Sequence, residues 1–150
     1  MLRPLADQSG ERLQSAARGT SARILVVEDE TAIRELIADF LELEGYQVEQ
    51  AAHGGEALAI VERVRPDLVV LDLMMPVMDG WTFARECYAL SPANVIPMLV
   101  MSASHDLARS AEQLRPYGVR AVMPKPFDLD VLLAAVNRLA HRPAAVDWPG

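Results

Sequence analysis

The chain predicts an α/β fold in which one five-stranded parallel sheet is doubly wound, with helices on both faces. Three observations carry that expectation. Residues 24–27 (ILVV) and 68–71 (LVVL) are uninterrupted apolar runs, the pattern of strands buried on both faces. Ile33, Leu36, Ile37, Phe40 and Leu41 recur instead at helical spacing. The two kinds of segment then alternate along the chain as five βα units, the order that builds a parallel sheet.

Taken in order, residues 1–22 hold no sustained apolar period and predict a flexible leader, with a transient helix around residues 11–17. The ordered domain is expected from about Arg23 to residue 140. Its first strand stops at Glu28, Asp29 and Glu30, and the first helix stops at Gly45. Residues 46–51 read as a second strand, 55–64 as a helix halted before Pro66, and 67–72 as a third strand. Asp79 or Gly80 opens a helix that runs to Leu90 with Phe83, Ala84 and Cys87 facing inward. A fourth strand over 97–101, a helix over 106–115, a fifth strand over 119–123 and a helix over 128–140 complete the series. Residues 141–150, with two prolines, predict a disordered tail.

Composition narrows the function. Apolar residues make up 51% of the 150 positions and charged residues 23%, the balance of a soluble globular domain. No run of about 18 apolar residues offers a membrane span, and no apolar signal core follows the N-terminus, so a cytoplasmic location is expected. A formal net charge of -7 disfavours direct contact with nucleic acid or a membrane surface. Cys87 is the single cysteine, which excludes an internal disulfide and suits a packing role. Among 14 basic residues, Lys125 is the one lysine.

In a sheet of this size the flavodoxin-like strand order 2-1-3-4-5 puts the ligand crevice at the C-terminal ends of strands 1 and 3. Those ends carry Glu28, Asp29 and Asp72, and strands 4 and 5 bring Ser102 and Lys125 to the same rim. Three carboxylates at one edge repel one another unless a cation neutralises them. With oxygen donors only, that cation is Mg2+ rather than zinc, which prefers His or Cys. The remaining space suits a phosphoryl group, whose oxygens Lys125 and the Ser102 hydroxyl can meet.

With these residues in hand, the chain resembles the receiver domain of bacterial two-component response regulators. The resemblance covers about residues 23–140 and rests on ILVVEDE, LVVLDLMMPVMDG, MSAS and KPF, in that order and at fitting intervals. It implies that Asp72 is the phosphoacceptor, attacking the phosphohistidine of a histidine kinase. It implies that Asp29, Asp72 and the Met74 carbonyl ligate Mg2+ directly while Glu28 acts through a metal-bound water. Ser102 and Lys125 would each meet a phosphoryl oxygen, and the Lys125–Pro126 bond would be cis. The protein would not be an enzyme in the ordinary sense but a switch that catalyses its own phosphorylation and dephosphorylation. The short tail suggests a stand-alone receiver. Its output would be contact with an effector protein through the fourth helix, fifth strand and fifth helix, about residues 106–140, with a phosphorelay through a histidine phosphotransfer protein and a homodimer left open.

One position departs from the family pattern. Val122 stands three residues before Lys125, where receivers usually carry an aromatic residue that rotates on activation. The loops after strands 3 and 4 are therefore expected to move more than Val122. Each site residue also has a plainer reading. Residues 28–30 could cap the first helix, Asp72 could be a turn residue, and Lys125 could be a solvated surface lysine. The pair Met74 and Met75 is expected to pack, apart from the carbonyl role; His53 and His105 read as exposed loop residues, Trp81 as partly packed and Trp148 as exposed. The alternative function is a pseudo-receiver, a constitutive interaction module of the same fold. A haloacid-dehalogenase-like phosphohydrolase would want a second Asp where Met74 stands, and a flavin-binding module a Ser/Thr/Gly-rich loop after Val27.

Overall fold

The computed structural model describes residues 21–75, 78–103 and 107–140. The expected leader up to residue 20, the expected tail, His105 and Trp148 lie outside the described residues. Five strands, β1 (Arg23–Val27), β2 (Gln47–Ala51), β3 (Leu68–Asp72), β4 (Met98–Ser102) and β5 (Val119–Pro124), alternate with five helices. These are α1 (Thr31–Leu43), α2 (Gly54–Val64), α3 (Gly80–Leu90), α4 (Leu107–Leu114) and α5 (Leu129–Ala140). Every strand pair is parallel and the order across the sheet is β2-β1-β3-β4-β5.

Burial follows from that order. The central strands β3 and β4 are buried at all five positions, whereas the edge strand β2 is buried only at Ala51. Alternate residues feed two cores: Leu25, Val27, Val69, Leu71 and Val100 pack with α2, α3 and α4, while Ile24, Val26, Val70, Leu99 and Met101 pack with α1 and α5. Continuous apolar runs are the price of having helices on both faces.

The boundaries shift in instructive places. Ala22, assigned to the leader, is buried, and its carbonyl accepts the Gln47 N–H at 3.1 Å, so pairing starts one residue early. Tyr46 falls just before β2, its side chain buried and its hydroxyl donating to Asn137 Oδ1 on α5. Helix α4 ends at Leu114 and tightens into a 3-10 turn, Arg115–Tyr117, where Pro116 supplies no backbone donor. Gly45 stops α1 at φ +103°, in the left-handed region open to glycine.

Candidate functional site

Register brings the strand ends together. Val27 pairs with Leu71, Asp72 with Met101 and Ser102 with Pro124, so residues just beyond or at the ends of β1, β3, β4 and β5 share the C-terminal rim. The Glu28 N–H still donates to the Ala51 carbonyl at 3.1 Å, which holds that residue against the sheet while Asp29 turns out to solvent. The Lys125 N–H donates to the Ser102 carbonyl at 2.9 Å, drawing the chain after β5 over the rim, and the Lys125–Pro126 bond is cis.

The side chains then converge. Lys125 Nζ lies 2.8 Å from Glu28 Oε1 and 3.3 Å from Asp72 Oδ2. The other oxygens are engaged locally: Asp72 Oδ1 accepts the Met74 N–H at 3.1 Å, and Glu28 Oε2 accepts the Glu30 N–H at 3.1 Å. Glu28 and Asp72 are only 1% and 3% exposed. Burial, the largest influence, pushes the Glu28 carboxyl above the ordinary carboxylate value, and the negative charge of Asp72 adds to this against the opposing Lys125 and Glu30 hydrogen bonds. Burial alone would lower the Lys125 ammonium, yet its bond to Glu28 and the two carboxylate charges hold it above the usual lysine value.

These residues suit a divalent cation. Glu28, Asp29 and Asp72 each offer a carboxylate oxygen, all within 4.8 Å of one another. One ammonium faces three carboxylates, so positive charge is short, and the donors are hard oxygens of the kind Mg2+ takes. Beyond Asp72, Leu73 and Gly80 approach closely. The Gly80 N–H donates to the Leu73 carbonyl at 3.0 Å, and a Cβ there would lie 2.7 Å from Leu73 Cα and 3.0 Å from the Asp72 carbonyl oxygen. Asp79 Oδ1 accepts the Thr82 N–H at 2.9 Å and caps α3.

A family model for the response regulator receiver domain matches residues 24–137. The chain belongs to the receiver-domain family. It is 40% identical over 128 residues to "Response regulator MprA" of Mycolicibacterium vanbaalenii, covering 85% of this chain and 54% of that protein. To the protein of the same name from Mycobacterium leprae it is 41% identical over 120 residues, 80% of this chain and 51% of that one. The chain thus spans about half the length of the curated relatives it matches. Among solved structures it is similar to the chemotaxis protein CheY4 of Vibrio cholerae, with a TM-score of 0.72, 31% identity, and coverage of 80% of this chain and 99% of that one. A CheY-like receiver domain protein from Methanospirillum hungatei gives 0.72 and 31%, over 81% and 94%.

The receiver's rim holds Glu28, Asp29, Asp72 and Lys125 as one cluster, but in arrangements the sequence does not foretell. Lys125, expected to meet a phosphoryl oxygen, is bonded to Glu28 and Asp72 directly. Ser102 ends β4 at the expected rim with its side chain fully enclosed. Met74 corrects an expectation: it does not pack but is 63% exposed, because it lies beyond the end of β3 where the helices no longer cover the chain, while Met75 turns inward. Glu30 stands at the N-cap of α1 without a side-chain cap bond of its own. His53 is exposed and caps α2, its Nδ1 accepting the Glu56 N–H at 3.3 Å. Cys87 is buried on the inner face of α3, its thiol pushed up to about 11 by burial, and Trp81 is partly packed. Val122 is half-buried against the α2–α3–α4 core. Arg34, whose guanidinium reaches the Glu28 carbonyl, is absent from the sequence expectations. Its signal was a cation in the first turn of a helix, where the dipole disfavours it.

Proposed function

We propose that this receiver domain accepts a phosphoryl group on Asp72 from the phosphohistidine of a histidine kinase or histidine phosphotransfer protein. The observation that supports this best is a carboxylate ending a central strand, almost fully buried, held by Lys125 beside two further carboxylates. A structural charge has no need of that company.

In the transfer, an Asp72 carboxylate oxygen forms the bond to phosphorus as the phosphorus–nitrogen bond of the donor breaks, and the imidazole leaves with its electron pair. Asp72 is a carboxylate and needs no general base. Asp29, Asp72 and the Met74 carbonyl would hold Mg2+ directly, with Glu28 in the outer sphere, and the bound ion would neutralise charge on the phosphoryl oxygens. Lys125 would turn from Asp72 to a phosphoryl oxygen, and the Ser102 hydroxyl would meet another once the end of β4 opens. Hydrolysis of the acyl phosphate at the same site resets the switch.

No helix among the described residues is long and apolar enough to cross a membrane; the cytoplasmic location we propose rests on membership of the receiver family. Output runs through protein contact on the α4–β5–α5 face, where Val122 replaces the usual aromatic. Phosphorylation shifts an existing equilibrium toward the surface that the effector selects. Incubation with acetyl phosphate and Mg2+, read by intact mass and Phos-tag mobility, tests the assignment. The expected result is one added phosphoryl group on the wild type and none on Asp72→Asn. An unmodified wild type, with a cognate kinase also failing, would favour the pseudo-receiver.

A further inference from the structure

Arg34 occupies a place that helix energetics do not explain. It sits in the first turn of α1, where the partial positive charge of the helix end opposes a guanidinium. Its backbone N–H donates to the Glu30 carbonyl at 3.0 Å, which anchors it in that turn. Its side chain folds back: Nη1 donates to the Glu28 carbonyl at 2.9 Å and Nε to Gln50 Oε1 at 3.2 Å. One guanidinium thereby ties the β1–α1 loop to β2.

The Glu28 carbonyl is where such a tie matters. The sheet holds the other side of that residue, through the Glu28 N–H and the Ala51 carbonyl, but the ladder ends at Ala51. The parallel register would next offer the His53 N–H to the Glu28 carbonyl, but that bond does not form as the chain turns into α2. Arg34 supplies a donor where the strand has stopped doing so. The planar guanidinium sets direction as well as distance, so it orients the peptide plane between Glu28 and Asp29, and with it the carboxylates on either side.

We propose that Arg34 is a positioning residue for the cation site, holding the β1–α1 loop in the shape that presents Glu28 and Asp29; this rests on the Mg2+-binding role proposed above. The alternative contribution of Arg34, its charge, has the opposite sign. A guanidinium near the cluster repels an incoming cation, so removing it for charge alone would tighten binding.

Mg2+ titration of the full chain, followed by 1H–15N NMR, separates these. Arg34→Met is expected to bind Mg2+ about ten-fold more weakly than wild type, the loss typical of an outer support. Arg34→Lys, which keeps the charge and loses the fork, should recover only part of it. Gln50→Leu, which cuts the other end on the exposed edge strand, should lie between wild type and Arg34→Met. Before any metal is added, the Glu28 and Asp29 amides should broaden in Arg34→Met while those of Val70 and Val100 stay unchanged. Binding as tight as wild type or tighter in Arg34→Met, or full recovery in Arg34→Lys, would overturn the proposal. If Arg34→Met fails to fold, the Lys and Gln50 variants decide by the same criteria. A wild type that binds no Mg2+ would remove the underlying reading as well.

Discussion

At the N-terminal rim of the sheet, Asp67 Oδ2 accepts the Arg23 N–H at 2.8 Å and Arg65 donates to the Asn94 carbonyl at 3.2 Å, with the Arg65, Asp67 and Asn94 side chains in water. At the C-terminal rim, Glu28 and Asp72 are buried and share one lysine. The first arrangement costs little and stabilises little, because exposed charges are screened and their partners are replaceable by solvent. The second is costly, since buried like charges crowd one ammonium. Of these two rims, the costly one is where the proposed chemistry sits.

The largest break in that contrast should come from Lys125→Met. With its ammonium gone, both buried carboxylates lose their counter-charge, and urea unfolding of the metal-free protein at pH 7 should show a loss of about 3 kcal/mol. A loss no larger than that of an exposed lysine would mean that water already neutralises the rim.

Asp72→Asn should act in the other direction. It removes one of two carboxylates competing for Lys125, so in EDTA the variant should unfold about 1 kcal/mol later than wild type while losing phosphorylation altogether. A destabilised variant would show that the Asp72–Lys125 pair outweighs the repulsion.

Glu28 supplies the pH test. Its raised pKa means that the folded protein holds this proton more tightly than the unfolded chain does. That contribution is fully present below the ordinary value of 4.5 and is lost as pH climbs through the raised one. Metal-free wild type should therefore give up stability over this window, and Glu28→Gln should flatten that component when unfolding is measured across it.

The smallest effect belongs to the opposite rim. Arg65→Ala, which removes the exposed bond to Asn94 and a charge near the Cys87 thiol, should change unfolding free energy by no more than about 0.5 kcal/mol. A larger change would erase the distinction between the rims.

Much of this was legible in the residues themselves. β1 and β3 announce themselves because strands covered on both faces cannot alternate polar and apolar side chains, and α1 because Ile33, Ile37 and Leu41 keep one face of a helix. The identity of the rim residues follows from the same pattern, since in a parallel sheet all strand ends of one sense lie at one edge. What the pattern could not tell was how those ends meet. Periodicity assigns a residue to a face of its own element and carries no distance to another, so the bond between Lys125 and Glu28, 97 residues apart, came only from packing. The enclosure of Ser102, the exposure of Met74 beside buried Met75, and the reach of Arg34 from α1 to the β1 loop and β2 were decided in the same way. Composition and spacing determined which groups gather at the rim; the tertiary structure decided which charge faces which, because that depends on the ångström-scale placement of separate elements.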